Sequence, residues 1–260
     1  MSMLPDVQNA PIVELAEWLE TAPGRYALEW EQARLDDAVS DVFGFHAMQA
    51  GLPQLDALRA NRMPFKGYVG PARPAVPLRS RWNAFVQAEL DALPFETQSL
   101  DLLVLPHTLE YSADPHRVLR EAERVLIPEG RLVITGFNPW SLWGRLPGQS
   151  RPFLPGSVQP LSPVRLKDWL KLLSFEVDQG RFGAYVPACR TEKWLRRYAF
   201  MERAGARWWP VCGGLYVVAA IKRTATLRLI GPSWKKAKAP PRAAVVAAPR
   251  TGLHHGRDAA

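Results

Sequence analysis

The residue types best able to do chemistry in this 260-residue chain gather between Gln49 and Asn138. His107 follows the apolar run Leu102-Leu103-Val104-Leu105, so its imidazole stands where a strand should end. With an ordinary pKa of about 6.5, it can accept a proton or simply hydrogen-bond the backbone. Glu89 and Asp91 precede Leu93-Pro94-Phe95, and a single glycine, Gly51, marks the bend Gln49-Ala50-Gly51-Leu52-Pro53. Asn138 is a further polar candidate, although Asn-Pro is also a turn signal. Other chemistries lack their spacing. No G-x-G-x-x-G follows an apolar run, and no G-x-S-x-G elbow occurs, which argues against dinucleotide oxidoreduction and serine hydrolysis. Cys189 and Cys212 form no C-x-x-C pair, and His254-His255 falls in an Ala/Pro/Lys-rich tail, so no zinc site is expected.

These residues need a scaffold, and residues 89 to 140 describe one. The unbroken run Leu102 to Leu105 suits a parallel strand covered on both faces. Asp114-Pro115 then reads as an N-cap and first helical residue. Val118, Leu119, Ala122, Val125 and Leu126 fall on one helical face, leaving Arg117, Arg120, Glu121 and Arg124 in water. Ile127-Pro128-Glu129-Gly130 makes a turn and Arg131 to Gly136 resumes a strand, giving a right-handed crossover. Further strands are expected at 45–50, 65–69, 84–88, 175–179 and 215–221. Helices are expected at 12–20, 29–42, 54–60, 164–173 and 192–203, the last with Trp194, Leu195 and Tyr198 facing inward. The sum is an α/β fold: a Rossmann-like, doubly wound, seven-stranded, mostly parallel sheet whose last strand runs antiparallel.

The stretch ALPF, SLDLLVLPHTLEYSADP and RVLIPEGRLVITGFNP, with an acid before it, resembles the class I S-adenosylmethionine (SAM)-dependent methyltransferases, of the type 11-like kind. The resemblance is specific over about fifty residues and fades on both sides. It implies SAM as cofactor, with Glu89 on the adenine amino group and the Leu90 amide on the ring, Asp91 being the fallback. It also implies that Leu105-Pro106-His107-Thr108 lines the methionine and methyl-transfer region, with His107 either catalytic or structural. The family's glycine-rich loop is degenerate: Gln49 stands where an acid is usual and only Gly51 remains. Gly70-Pro71 stands where a second acid would hold the ribose hydroxyls. Losing two hydrogen bonds of about 1.5–3 kcal/mol each would weaken SAM binding by roughly two to four powers of ten. Gln49 can still bond neutrally, and the N-terminus of helix 54–60 can favour the methionine carboxylate.

The formal net charge of +8 is unevenly placed. Residues 222–260 hold nine Lys or Arg and one acid, leaving 24 charges of each sign before them. The organisation expected is an N-terminal helical extension (1–35), a methyltransferase-like domain (36–223) with a Pro/Trp-rich loop (139–163), and a disordered basic tail (224–260) capable of weak, salt-sensitive polyanion contact. The N-terminus lacks a secretory pattern and no apolar run can span a bilayer, so a cytoplasmic protein without membrane contact is expected. Methyl transfer from SAM to an unidentified acceptor is the leading reading. A binding protein that keeps the fold but has lost SAM, and docks partners through its tryptophans, is the alternative. An RNA-associated enzyme using the tail is a third.

Overall fold

The computed structural model describes residues 10–143, 154, 158–187 and 191–223. Most of the Pro/Trp-rich loop, Cys189 and the whole basic tail with its two histidines lie outside them.

Seven strands form one sheet: β1 (His46–Ala50), β2 (Phe65–Gly70), β3 (Ala84–Gln87), β4 (Leu100–Pro106), β5 (Leu126–Phe137), β6 (Phe175–Gly183) and β7 (Leu215–Lys222), in the order β3-β2-β1-β4-β5-β7-β6. The pairs from β3 through β5 are parallel, and β7 runs antiparallel to both of its neighbours. This is the expected doubly wound sheet with an antiparallel last strand. Leu102 to Leu105 are at most 1% exposed, as a strand covered on both faces requires. The Asp101 carboxylate accepts from the amides of Phe45 and His46, 2.9 Å each, tying the start of β1 to β4.

Helices α1 (Ala10–Leu19) and α2 (Ala22–Val39) cover one face, with Leu15, Leu19, Ala27 and Leu35 in a core shared with Val104, Phe137 and Val217. The boundary expected at residue 35 therefore falls inside α2. That helix also starts earlier than expected, because Thr21 caps it through Gly24 N and Pro23 is compatible with a first turn. The short helix α3 (Thr108–Tyr111) follows β4. Helix α4 (Pro115–Val125) is capped by Asp114, which accepts from His116 N and Arg117 N, and buries Val118, Leu119, Ala122 and Val125. Glu121 and Arg124 on it are not left to water. Arg124 donates to the carbonyls of Leu93 (2.9 Å) and Phe95 (2.8 Å), while Glu121 accepts from Leu93 N.

Two expected helices are corrected. Residues 54–60 form turns, because Gln49 takes the backbone groups of Leu52, Leu55 and Ala57 that a helix would use. The segment 192–203 divides into α6 (Glu192–Arg197) and α7 (Phe200–Trp208), with Leu195 buried but Trp194 48% exposed. Helix α5 (Pro163–Leu172) matches its expected position within one residue.

Candidate active site at the strand-order reversal

The sheet order turns back between β1 and β4, and open α/β sheets bind ligands outside the carboxyl ends of strands at that point. There β1 ends in Gly51, whose φ of 81° a side chain would strain. A Cβ on Gly51 would lie 2.9 Å from Thr108 Oγ1. Thr108 Oγ1 in turn donates to the Ala50 carbonyl at 2.7 Å, drawing the ends of β1 and β4 together. Outside them opens a cavity of about 500 Å³, within the range of small-molecule sites. Gly51, Leu52 and Pro71 form one wall, Glu89, Leu90 and Asp91 a second, and Pro106, His107, Thr108 and Tyr111 a third. The Glu121–Arg124 pair positions the second wall by holding Leu93 and Phe95.

Beneath the third wall lies a buried charge cluster. His107 Nε2 is 2.7 Å from Glu31 Oε1, and Nδ1 is 2.7 Å from Glu110 Oε2. All three side chains are at most 2% exposed. Glu110 Oε1 also accepts from Phe137 N at 2.6 Å. Burial alone would lower the His107 pKa. The Glu31 charge and the hydrogen bonds to both carboxylates outweigh it and raise the pKa to about 10. Burial pushes the Glu110 carboxyl up, against the lowering effect of His107. At neutral pH the imidazole is therefore an imidazolium clamped between α2 and α3, with both ring nitrogens committed. It borders the cavity without a free nitrogen for general-base work.

The other residues singled out from sequence divide clearly. Gly51, Glu89, Leu90 and Asp91 reach the cavity, Glu89 on its exposed rim. Asp91 lies 3.4 Å from Arg117. Gln49 does not reach it. Its side chain is fully buried, with Nε2 donating to the carbonyls of Leu52 and Leu55 and Oε1 accepting from Ala57 N. Leu105 is 1% exposed and packs into the core with Leu103 and Leu119. Asn138 builds a turn, donating to the carbonyls of Val211 and Gly213 and accepting from Trp140 N. Glu31 and Glu110 escaped sequence reasoning, while Thr108 borders the cavity. Glu31 had left one signal: it lies four residues from both Ala27 and Leu35 on the apolar face of α2, an inward position for an acid.

Comparison with known proteins follows the same lines. Residues 70–134 match the family described as "Methyltransferase domain". The uncharacterized protein YafS of Escherichia coli (strain K12) is 32% identical over 214 residues, 82% of each chain. A shorter match, 43% over 54 residues, links the chain to the ubiquinone/menaquinone biosynthesis C-methyltransferase UbiE of Hahella chejuensis, covering 21% of this chain and 22% of that one. Among solved structures, a chain from the "Complex between the Haloferax volcanii Trm112 methyltransferase activator and the putative methyltransferase" superposes with a TM-score of 0.60 at 16% identity. It spans 84% of this chain and 99% of its own. With the strand order, the crevice and the matched domain in agreement, the chain belongs to the class I SAM-dependent methyltransferase family, whose cofactor is SAM.

Proposed function

We propose that this chain transfers the methyl group of SAM to an acceptor bound beside Pro106, His107 and Thr108. The observation that supports this most is the Gly51 cradle. Only a residue without a side chain fits against Thr108, and the backbone there borders open space. Gly51 would meet the methionine end of the cofactor, and Glu89 with the Leu90 amide would hold the adenine. Gly70-Pro71 offers no acid to the ribose, so this chain's grip on SAM is weaker than the usual two-acid arrangement gives. When bound, SAM supplies an electrophilic methyl group on a sulfonium, and the chemistry then needs alignment more than side-chain catalysis. His107 acts in this reading as a positioning residue. Its imidazolium and the two carboxylates fix the Pro106–Thr108 bend, whose His107 backbone takes the left-handed φ of 53°.

Titration calorimetry with SAM on the purified chain tests the reading. Heat of binding is expected, with affinity reduced at least tenfold by Gly51→Ala and by Glu89→Ala. No heat and no thermal shift at millimolar SAM would overturn it in favour of a fold kept only for binding partners.

A further inference from the structure

Helix α7 presents its apolar side outward. Counting 100° per residue, Phe200, Arg203, Ala204, Arg207 and Trp208 share one face, and Glu202 and Gly205 the other. The body meets Glu202 and Gly205. Gly205 packs so closely that an added Cβ would come within 2.3 Å of the Tyr185 ring, and Glu202 accepts from Tyr185 N and from the Tyr26 hydroxyl. The aromatics are largely open to solvent: Phe200, whose ring meets Tyr198 at 6.5 Å, is 61% exposed, Trp208 70% and Trp209 57%. Three large exposed rings within ten residues of one segment are unusual on a monomer and mark a contact surface.

Charge narrows the partner. Lys193, Arg203 and Arg207 are exposed and form no ion pair among the described residues, while the two acids of this segment are used: Glu192 pairs with Arg196, and Glu202 faces inward. Phenylalanine and tryptophan interleaved with Arg203 and Arg207 on one face of α7, with Lys193 exposed on α6, suit the boundary between headgroups and acyl chains of an anionic bilayer. Single-stranded nucleic acid also takes rings and cations, but it lies in a charged groove. Neither the cavity beside Gly51 nor the one beside Phe175 touches these residues. The segment leaves the sheet where β6 ends at Gly183 and returns where β7 begins at Leu215, which pairs with Phe137 at the carboxyl end of β5. It thus sits on the same rim as the cavity.

We propose that the outer face of α6 and α7 docks peripherally on an anionic lipid bilayer, inserting Phe200, Trp208 and Trp209 at headgroup depth. No segment crosses the membrane in this arrangement, and no helix among the described residues is long and apolar enough to do so.

Flotation of the full-length chain with phosphatidylglycerol/phosphatidylcholine vesicles, in the absence of SAM, tests the proposal independently of methyl transfer. Binding is expected to anionic vesicles and not to pure phosphatidylcholine. Arg203→Gln with Arg207→Gln should lower partitioning about thirty-fold, equivalent to ~2 kcal/mol at ~1.4 kcal/mol per factor of ten. Phe200→Ser with Trp208→Ser and Trp209→Ser should lower it at least tenfold with an unchanged melting temperature, since none of the three is buried. In Trp208→Phe with Trp209→Phe, binding should persist while quenching by brominated lipid drops. Absence of vesicle binding overturns the proposal. So does binding indifferent to all these variants, which would place the contact in residues 224–260. Tighter, ring-dependent retention by single-stranded RNA than by vesicles would transfer the surface to nucleic acid and overturn it as well.

Discussion

His107 carries a positive charge in a place that ordinarily expels one. Removing an ion from water costs several kcal/mol, and here two carboxylates within 2.7 Å repay the cost. The consequence is a pH dependence with a defined sign. His107 has a folded pKa of about 10 against an unfolded value of about 6.5, so between these limits the folded state holds a proton that the unfolded chain has released. Its stabilising contribution is complete below about pH 6.5 and is lost as pH rises through 10. Glu110, also raised, acts in the same direction at lower pH. The melting temperature should therefore fall steadily from pH 7 to 10. His107→Gln should lose about 3–5 kcal/mol at pH 7, because it leaves two carboxylates buried without their cation, and should flatten the alkaline slope. Calorimetric scans of both proteins across that range check the prediction. An equal slope in the variant would mean that the imidazole is neutral in the folded chain.

At the level of elements, the clearest link between scaffold and site is α4. Its inner face carries Val118, Leu119, Ala122 and Val125, and its flank carries the Glu121–Arg124 clamp on Leu93 and Phe95. That clamp fixes the segment leading from Glu89. Arg124→Met should lower SAM affinity about tenfold, through loss of two charge-assisted hydrogen bonds that orient the wall. Calorimetry should show the loss, and the melting temperature should fall by only a few degrees. This helix was legible in the sequence because local signals agreed: Asp114-Pro115 as its start, then four inward positions at helical spacing. The strands were legible from continuous apolar runs. What stayed hidden depends on contacts distant in sequence. Nothing local says that Gln49 turns inward and bonds Leu52, Leu55 and Ala57, so a helix was expected at 54–60 and a cofactor contact at residue 49. Nor does the sequence reveal that Trp194 of α6 faces outward while Leu195 faces in, since aromatic spacing in a short helix is the same for core and surface. Glu31 and His107 lie 76 positions apart, and only the packing of α2 on the sheet joins them.

For the molecule as a whole, the N-terminal helices decide where the domain begins. The motif pattern places the methyltransferase-like body after residue 35, as if α1 and most of α2 were an extension. The packing makes them part of the core: Leu15, Leu19, Ala27, Glu31 and Leu35 are at most 3% exposed, and Trp18 meets Phe137 and Trp143 edge-on at 5.4 and 6.3 Å. Burying a single leucine contributes about 1.5–3 kcal/mol, and a whole domain is stable by only about 5–15 kcal/mol. Removing residues 1–35 takes away three such leucines and Trp18, and it strips Glu31 from the imidazolium. The loss matches or exceeds the stability available. A chain beginning at Asp36 should therefore lack a cooperative thermal transition and show little near-ultraviolet dichroism. A cooperative melt within a few degrees of the full chain, after removal of residues 1–35, would show that the sheet and its other helices close a core without α1 and most of α2.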